Sequence, residues 1–219
     1  MIEININSKP YNWLIHHICI RSIKRELIFV NGYTLDIGCG MKPYSHLLAP
    51  LCSEYIGIDR PGANKADVHA DALYLPFSDE SFDSVVSFQV MEHVPEPLHF
   101  LTEMKRVMKC NGHAIITTPF IWSEHEIPND YFRFTRYGLK YLAEAAGFEV
   151  VSITPDTGAL TAASLRIVYW LNHLRLGPIR PLLYPFYALI QLAGYLLDKI
   201  SPTYDVAPAT FTTVLKKYE

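Results

Sequence analysis

Five short apolar runs, separated by stretches with helical periodicity, constrain the fold of this chain more than any other feature. They read YTLDIG (33–38), EYIGID (54–59), ADVHAD (66–71), FDSVVSF (82–88) and HAIITTPF (113–120). Between them lie PYSHLLAPL (43–51) and EPLHFLTEMKRVMK (96–109). In the second of these, Leu98, Leu101, Met104, Val107 and Met108 form one stripe, and Asn111-Gly112 is a natural stop. A further helix, RYGLKYLAEAAGF, is ended by Gly147, and FEVVSI (148–153) and ATFTTVLKK (209–217) add two more strands. Near-continuously apolar strands that alternate with helices predict a parallel sheet covered on both faces. The fold class is therefore α/β, with seven strands.

Ahead of this pattern, residues 1–30 predict an N-terminal helical segment. Leu14, Ile18 and Leu27 fall at helical spacing among His16, His17, Lys24 and Arg25. The segment 158–205 stands out for a different reason. It is more apolar than a crossover between two strands requires, with sixteen uncharged residues from Leu182 to Leu197. A spanning helix needs roughly twenty, and Arg166 and Asn172 spoil the first arm of a membrane hairpin. The segment reads as an apolar helical insertion before the last strand. It serves peripheral contact with a membrane, an acceptor pocket, a homodimer face, or the core itself.

With 219 residues, half of them apolar, there is material for one sizeable core, so 1–219 is read as a single domain. A net charge of −3 without basic runs excludes an electrostatic footprint for nucleic acid. The four cysteines, Cys19, Cys39, Cys52 and Cys110, form no CxxC pair and no tight Cys/His spacing. They read as reduced thiols of a cytoplasmic protein, with no structural zinc and no metal expected. The first ten residues lack the basic-then-apolar pattern of a secretory signal.

In open α/β sheets, ligands bind beyond the carboxyl ends of the strands where the strand order reverses. Several segments converge on that edge. Gly38 and Gly40 follow the first strand, with Asp36 at its end. Asp59 ends the second strand, about twenty residues after the glycines, the offset at which a carboxylate reaches a ribose diol. Asp71 and Ala72 follow the third strand, and Gln89, Glu92 and His93 the fourth. A dinucleotide would want G-x-G-x-x-G, and position 43 is proline.

The motifs LDIGCG, GIDR, DALYLPFSDESFDSVVSFQVMEHV and EMKRVMKCNGHAIITTP resemble those of class I S-adenosylmethionine-dependent methyltransferases, in the branch of the ubiquinone and menaquinone enzymes. The resemblance covers roughly residues 33–153. It implies a Rossmann-like, doubly wound seven-stranded sheet whose last strand runs antiparallel, and S-adenosyl-L-methionine as cofactor. It also implies that Asp36, Gly38 and Gly40 line the methionine end and that Asp59 holds the ribose. Asp71 and Ala72 would lie at the adenine, and Gln89 near the sulfonium. Where many members carry a third glycine, this chain has Lys42 and then Pro43.

Methyl transfer from a sulfonium needs no enzyme nucleophile, only positioning and, for a hydroxyl acceptor, a base. The stretch SEHEIPNDYFRFT (123–135) follows the fifth strand on the same edge. It nominates His125 as base, with His93 as a second candidate, and Arg133 as anchor for an anionic or sugar acceptor. The expected activity is methyl transfer to a small-molecule, saccharide or lipid-linked acceptor in the cytoplasm or at the inner face of the membrane. The alternative is a non-catalytic cofactor-binding subunit that docks through 158–205.

Overall fold

The computed structural model describes residues 11–174 and 177–218. The first ten residues of the predicted N-terminal helical segment lie outside them. The elements in chain order are α1 (Trp13–Glu26), β1 (Gly32–Ile37), α2 (Ser45–Leu48), β2 (Cys52–Asp59), β3 (Val68–His69), β4 (Phe82–Phe88), α3 (Pro97–Val107), β5 (Met108–Pro119), α4 (Arg136–Ala145), β6 (Glu149–Pro155), α5 (Ala159–His173), α6 (Tyr184–Ile200) and β7 (Thr210–Lys216).

These strands form one sheet in the order β3-β2-β1-β4-β5-β7-β6. The pairings β1–β2, β1–β4, β2–β3 and β4–β5 are parallel. β7 runs against β5, because the Asn111 amide bonds to Lys217 O while the Phe120 amide bonds to Ala209 O. The strand order reverses beside β1, with β2 on one side and β4 on the other. That is the switch point at which such sheets take ligands. Leu35, Ile37, Ile58, Val85, Val86, Ile115 and Ile116 are buried along the central strands, which explains their unbroken apolar character.

Two helices differ from expectation. α3 ends at Val107, and Met108 and Lys109 already belong to β5. Asn111, at φ 63°, sits inside that long strand rather than behind a helix. Phe100, Leu101, Met104 and Val107 make its buried stripe, and Leu98 is 42% exposed. The helix predicted over 43–51 shrinks to the four residues of α2 followed by a tight 3-10 turn at Ala49–Leu51, where Pro50 interrupts. α4 behaves as its sequence implies. Thr135 Oγ1 accepts from the Gly138 amide at 3.0 Å, and Gly147 closes the far end at φ 82°.

The chain groups into two compact units. One comprises 24–119, 123–154 and 211–219, and the other the residues up to 23 with 120–122 and 155–210. In the second unit, Leu14, Ile15 and Ile18 of α1 cluster with Ala162 and Leu165 of α5 and with Ala209. Arg21 donates to Asp156 O at 3.1 Å and to Tyr195 Oη at 3.2 Å. Asp198, buried near the end of α6, caps α5 from outside it. Its carboxylate accepts from the amides of Thr161 at 2.7 Å and Leu160 at 3.3 Å.

α6 inverts the usual amphipathic rule. Tyr187, Gln191, Gly194 and Asp198 are buried, while Phe186, Leu189, Leu196, Leu197 and Ile200 are exposed. No helix among the described residues is long and apolar enough to cross a membrane.

Candidate active site

β1 ends at Ile37, and the chain turns through Gly38 at φ 74° and Gly40 at φ 52°. Both are left-handed, where a side chain is strained. A Cβ on Gly38 would also stand 2.3 Å from Val90 Cγ2. The amides of Gly38 and Cys39 donate to Ile58 O at 2.9 and 3.0 Å, and the Gly40 amide to Asp59 Oδ2 at 2.7 Å. The loop donors are thus spent inside the protein. What the glycines supply is room and curvature, and α2 is too short to offer a helix N-terminus. Lys42, standing where a third glycine is common, takes the left-handed conformation at φ 53°. Its ammonium is paired with Asp67 and lies 5.2 Å over the Tyr55 ring.

Asp59 is fixed by two amides, from Gly40 and from Arg60 at 2.7 Å. Asp71 turns its own loop by accepting from the Leu73 amide at 2.9 Å. α3 holds that loop in place. Glu103 accepts from the Leu75 amide at 3.0 Å, and Arg106 donates to Leu75 O at 2.9 Å and Phe77 O at 2.8 Å. After β4, Gln89 is left-handed at φ 57° and ties to Thr117 through its amide and its side chain.

Gly38, Gly40, Asp59, Asp71, Ala72, Gln89 and His93 line one cavity of about 1040 Å³ at the carboxyl ends of β1, β2 and β4. That volume is at the upper end for a small-ligand cleft. Arg60 is the only Arg or Lys among its described lining residues. Against it stand the carboxylates of Asp59, Asp71 and Glu126, acceptors suited to hydroxyls and amines rather than to phosphates.

Asp36 is not in that lining. Its carboxylate is buried behind the loop and accepts from the Tyr55 hydroxyl. Burial pushes its pKa up to about 7, against the pull of Tyr55 and Lys42. Tyr55 precedes by two residues Gly57, the parallel partner of Asp36, so both lie on one face of the sheet.

Beside the cavity sits a second cluster. His93 Nδ1 is 2.7 Å from Asn129 O, and its Nε2 is 3.2 Å from His125 Nε2. Glu92 is fully buried, and neither of its carboxylate oxygens has a hydrogen-bond partner among the described residues. Burial pushes its pKa up to about 8. Asp130 receives two 2.7 Å bonds from Arg133 and one from the His125 amide, which hold its carboxyl well below the usual range. Arg133 also donates to Ser123 O and Phe132 O at 2.8 and 2.7 Å.

Residues 35–116 match a family model described as a methyltransferase domain. That span runs from within β1 to within β5 and holds the loops that bring Gly38, Gly40, Asp59 and Asp71 to the cavity. Over these residues the chain is similar to methyltransferase domains, as its motifs implied. A ubiquinone biosynthesis O-methyltransferase of Ruegeria sp. is 32% identical over 112 residues, covering 45% of each chain. The chain spans about half the length of the curated relatives it matches. Among solved structures, a SAM-dependent methyltransferase from Archaeoglobus fulgidus superposes with a TM-score of 0.59 at 20% identity, over 91% of this chain and 94% of that one. The [4+2]-cyclase SpnF gives 0.61 at 18% identity, over 97% and 86%. One is a cyclase and the other a methyltransferase, so these two likenesses establish the fold alone.

Of the residues nominated from sequence, the cavity gathers Gly38, Gly40, Asp59, Asp71, Ala72, Gln89 and His93. Asp36, His125 and Arg133 lie outside its lining. Arg133 is spent on Asp130 and two carbonyls, so the loop consumes the anchor proposed for an acceptor. His93 faces the cavity and His125 backs it, the reverse of the order drawn from sequence. Glu92 follows the fourth strand as the sequence implied, and its signal is a carboxylate adjoining a histidine just past a strand tip. Asn129 became visible only once the 123–135 loop folded back onto His93.

Proposed function

We propose that this chain transfers a methyl group from S-adenosyl-L-methionine to a small-molecule, saccharide or lipid-linked acceptor. The observation that carries this reading is the single cavity in which two left-handed glycines meet Asp59 and Asp71 at the switch point of the sheet. The residues fit the cofactor on their own chemistry. Gly40 leaves open space where a Cβ would stand, Gly38 turns the chain where a Cβ would meet Val90, and Asp59 and Asp71 offer acceptors for hydroxyl and amine groups. When bound, the cofactor supplies a methyl group on a sulfonium with a good leaving group.

The protein's work is then positional. Asp59, locked by the Gly40 and Arg60 amides, holds the ribose without reorganising. Asp71 and Ala72, on a loop pinned by Glu103 and Arg106, set the adenine end, and Gln89 borders the reacting side. His93 faces the acceptor, with His125 behind it. The ubiquinone enzymes among the relatives and the apolar outer face of α6 favour an acceptor that is apolar or lipid-linked, met in the cytoplasm at the membrane's inner face.

Thermal shift tests the cofactor reading. S-adenosylhomocysteine should raise Tm progressively with concentration over Kd, and Asp59→Ala should abolish the shift. No stabilisation of the native chain at millimolar ligand would overturn the proposal. Labelled cofactor with fractionated extract then identifies the acceptor class by the fraction that takes up label.

A further inference from the structure

We propose that Glu92, His93 and His125 bind a divalent transition-metal ion beside the cavity. The argument begins with hydrogens. His93 Nδ1 lies 2.7 Å from Asn129 O, and a carbonyl only accepts, so this nitrogen carries the proton and Nε2 presents a lone pair. His125 Nδ1 faces Ser123 O at 3.2 Å and the Asp130 carboxylate at 3.6 Å. The one donor near it, Arg133 Nη2 at 3.5 Å, already gives its two hydrogens to Ser123 O at 2.8 Å and Asp130 at 2.7 Å. His125 Nδ1 therefore carries its own proton as well. With both rings neutral, two Nε2 lone pairs are aimed at each other across 3.2 Å.

Glu92 closes the triangle. Its Oε1 is 3.9 Å from His93 Nε2 and 4.0 Å from His125 Nε2, and both its oxygens are buried without a hydrogen-bond partner. With the carboxyl ionised and both rings neutral, three lone pairs converge on one point, the geometry of a cation site. The size is right too. A point equidistant from the corners of a triangle with sides of 3.2, 3.9 and 4.0 Å lies about 2.2 Å from each, close to the ~2.0–2.2 Å of nitrogen and carboxylate ligands to zinc. Asn129 O, Ser123 O and Asp130 supply the outer contacts that orient metal-binding imidazoles.

Two imidazoles and one carboxylate favour zinc or its first-row neighbours over magnesium or calcium. The sequence reading expected no metal because it weighed cysteine spacing; these ligands include no cysteine and span 34 positions in the chain. Three protein ligands leave open positions, and His93 borders the cavity, so a hydroxyl- or carboxylate-bearing acceptor can complete the coordination. That last role rests on the methyltransferase reading, whereas metal binding does not.

The test is run without cofactor. Full-length protein, carrying Cys110→Ser to remove the exposed thiol, is stripped with chelator and titrated calorimetrically with zinc. Cobalt is followed in parallel by its visible spectrum. One equivalent per chain is expected, with no thiolate charge-transfer band. His125→Ala, at a half-exposed position, should abolish binding while its metal-free Tm stays at the parent value, and Asp130→Asn should weaken it by about 10–100-fold. Should His125→Ala fold poorly, His125→Asn replaces it. Absence of stoichiometric binding to the parent, or undiminished binding to the folded His125 variant, overturns the site. Thermal shift with S-adenosylhomocysteine is read separately, so failure here and failure of the methyltransferase reading are distinguishable.

Discussion

Asp36→Asn should stabilise this protein, and more at pH 8 than at pH 5. The carboxyl is buried, and desolvation raises its pKa from 3.8 to about 7. At about 1.4 kcal/mol for each tenfold change in proton affinity, ionised Asp36 costs the folded chain on the order of 4 kcal/mol at pH 8. A raised carboxyl pKa means that the folded chain keeps a proton the unfolded chain has already released. This group's contribution to stability is therefore best near pH 4 and falls as pH climbs through 7. At pH 5 the cost is on the order of 2 kcal/mol, because the unfolded carboxyl has mostly ionised while the folded one has not. Asparagine removes the charge and keeps an oxygen for the Tyr55 hydroxyl. Urea unfolding of both proteins at the two pH values should give a gain larger at pH 8 by about 2–3 kcal/mol, with unchanged m-values. Comparing mutant with parent at each pH cancels the other titrating groups, Glu92 among them. Equal gains at both pH values, or a loss at pH 8, would show that Asp36 is not desolvated as described.

Three further substitutions probe the framework. Gly38→Ala combines a left-handed backbone with a Cβ 2.3 Å from Val90 Cγ2, and should cost about 2 kcal/mol or more. Adding Val90→Ala should return only part of that loss in chemical denaturation. Thr135→Ala removes the cap on the Gly138 amide and should cost about 1 kcal/mol. Asp198→Ala strips the amides of Leu160 and Thr161 of their acceptor. It should cost about 2 kcal/mol and speed hydrogen exchange at Thr161 before it affects β1.

The central strands were legible because they are buried on both faces, so FDSVVSF could be read directly as Phe82–Phe88. The carboxyl-edge residues were legible for a related reason: each follows an apolar run at once, and a parallel sheet brings all such tips to one rim. Helix ends were less so. Met108 and Lys109 continue the apolar periodicity of α3, yet pairing of Met108 with Phe82 draws them into β5. α6 could not be read from hydropathy at all, since its buried face rests on Asp198 and Gln191 and on the absence of a side chain at Gly194. Asp36 looked like a site residue because it ends a strand, but the hydroxyl that occupies it comes from β2, nineteen residues away. Such pairings depend on register, which a single sequence does not display.

β6 and β7 are neighbours in the sheet, yet 54 residues, 156–209, join them. Both ends of that excursion are pinned side by side, so closing it costs chain entropy that grows only with the logarithm of its length. Evolution can therefore lengthen, trim or replace the α5–α6 stretch without re-threading a ladder strand. A graft of this stretch between homologous sheets becomes a practical way to ask which part of the molecule chooses the methyl acceptor.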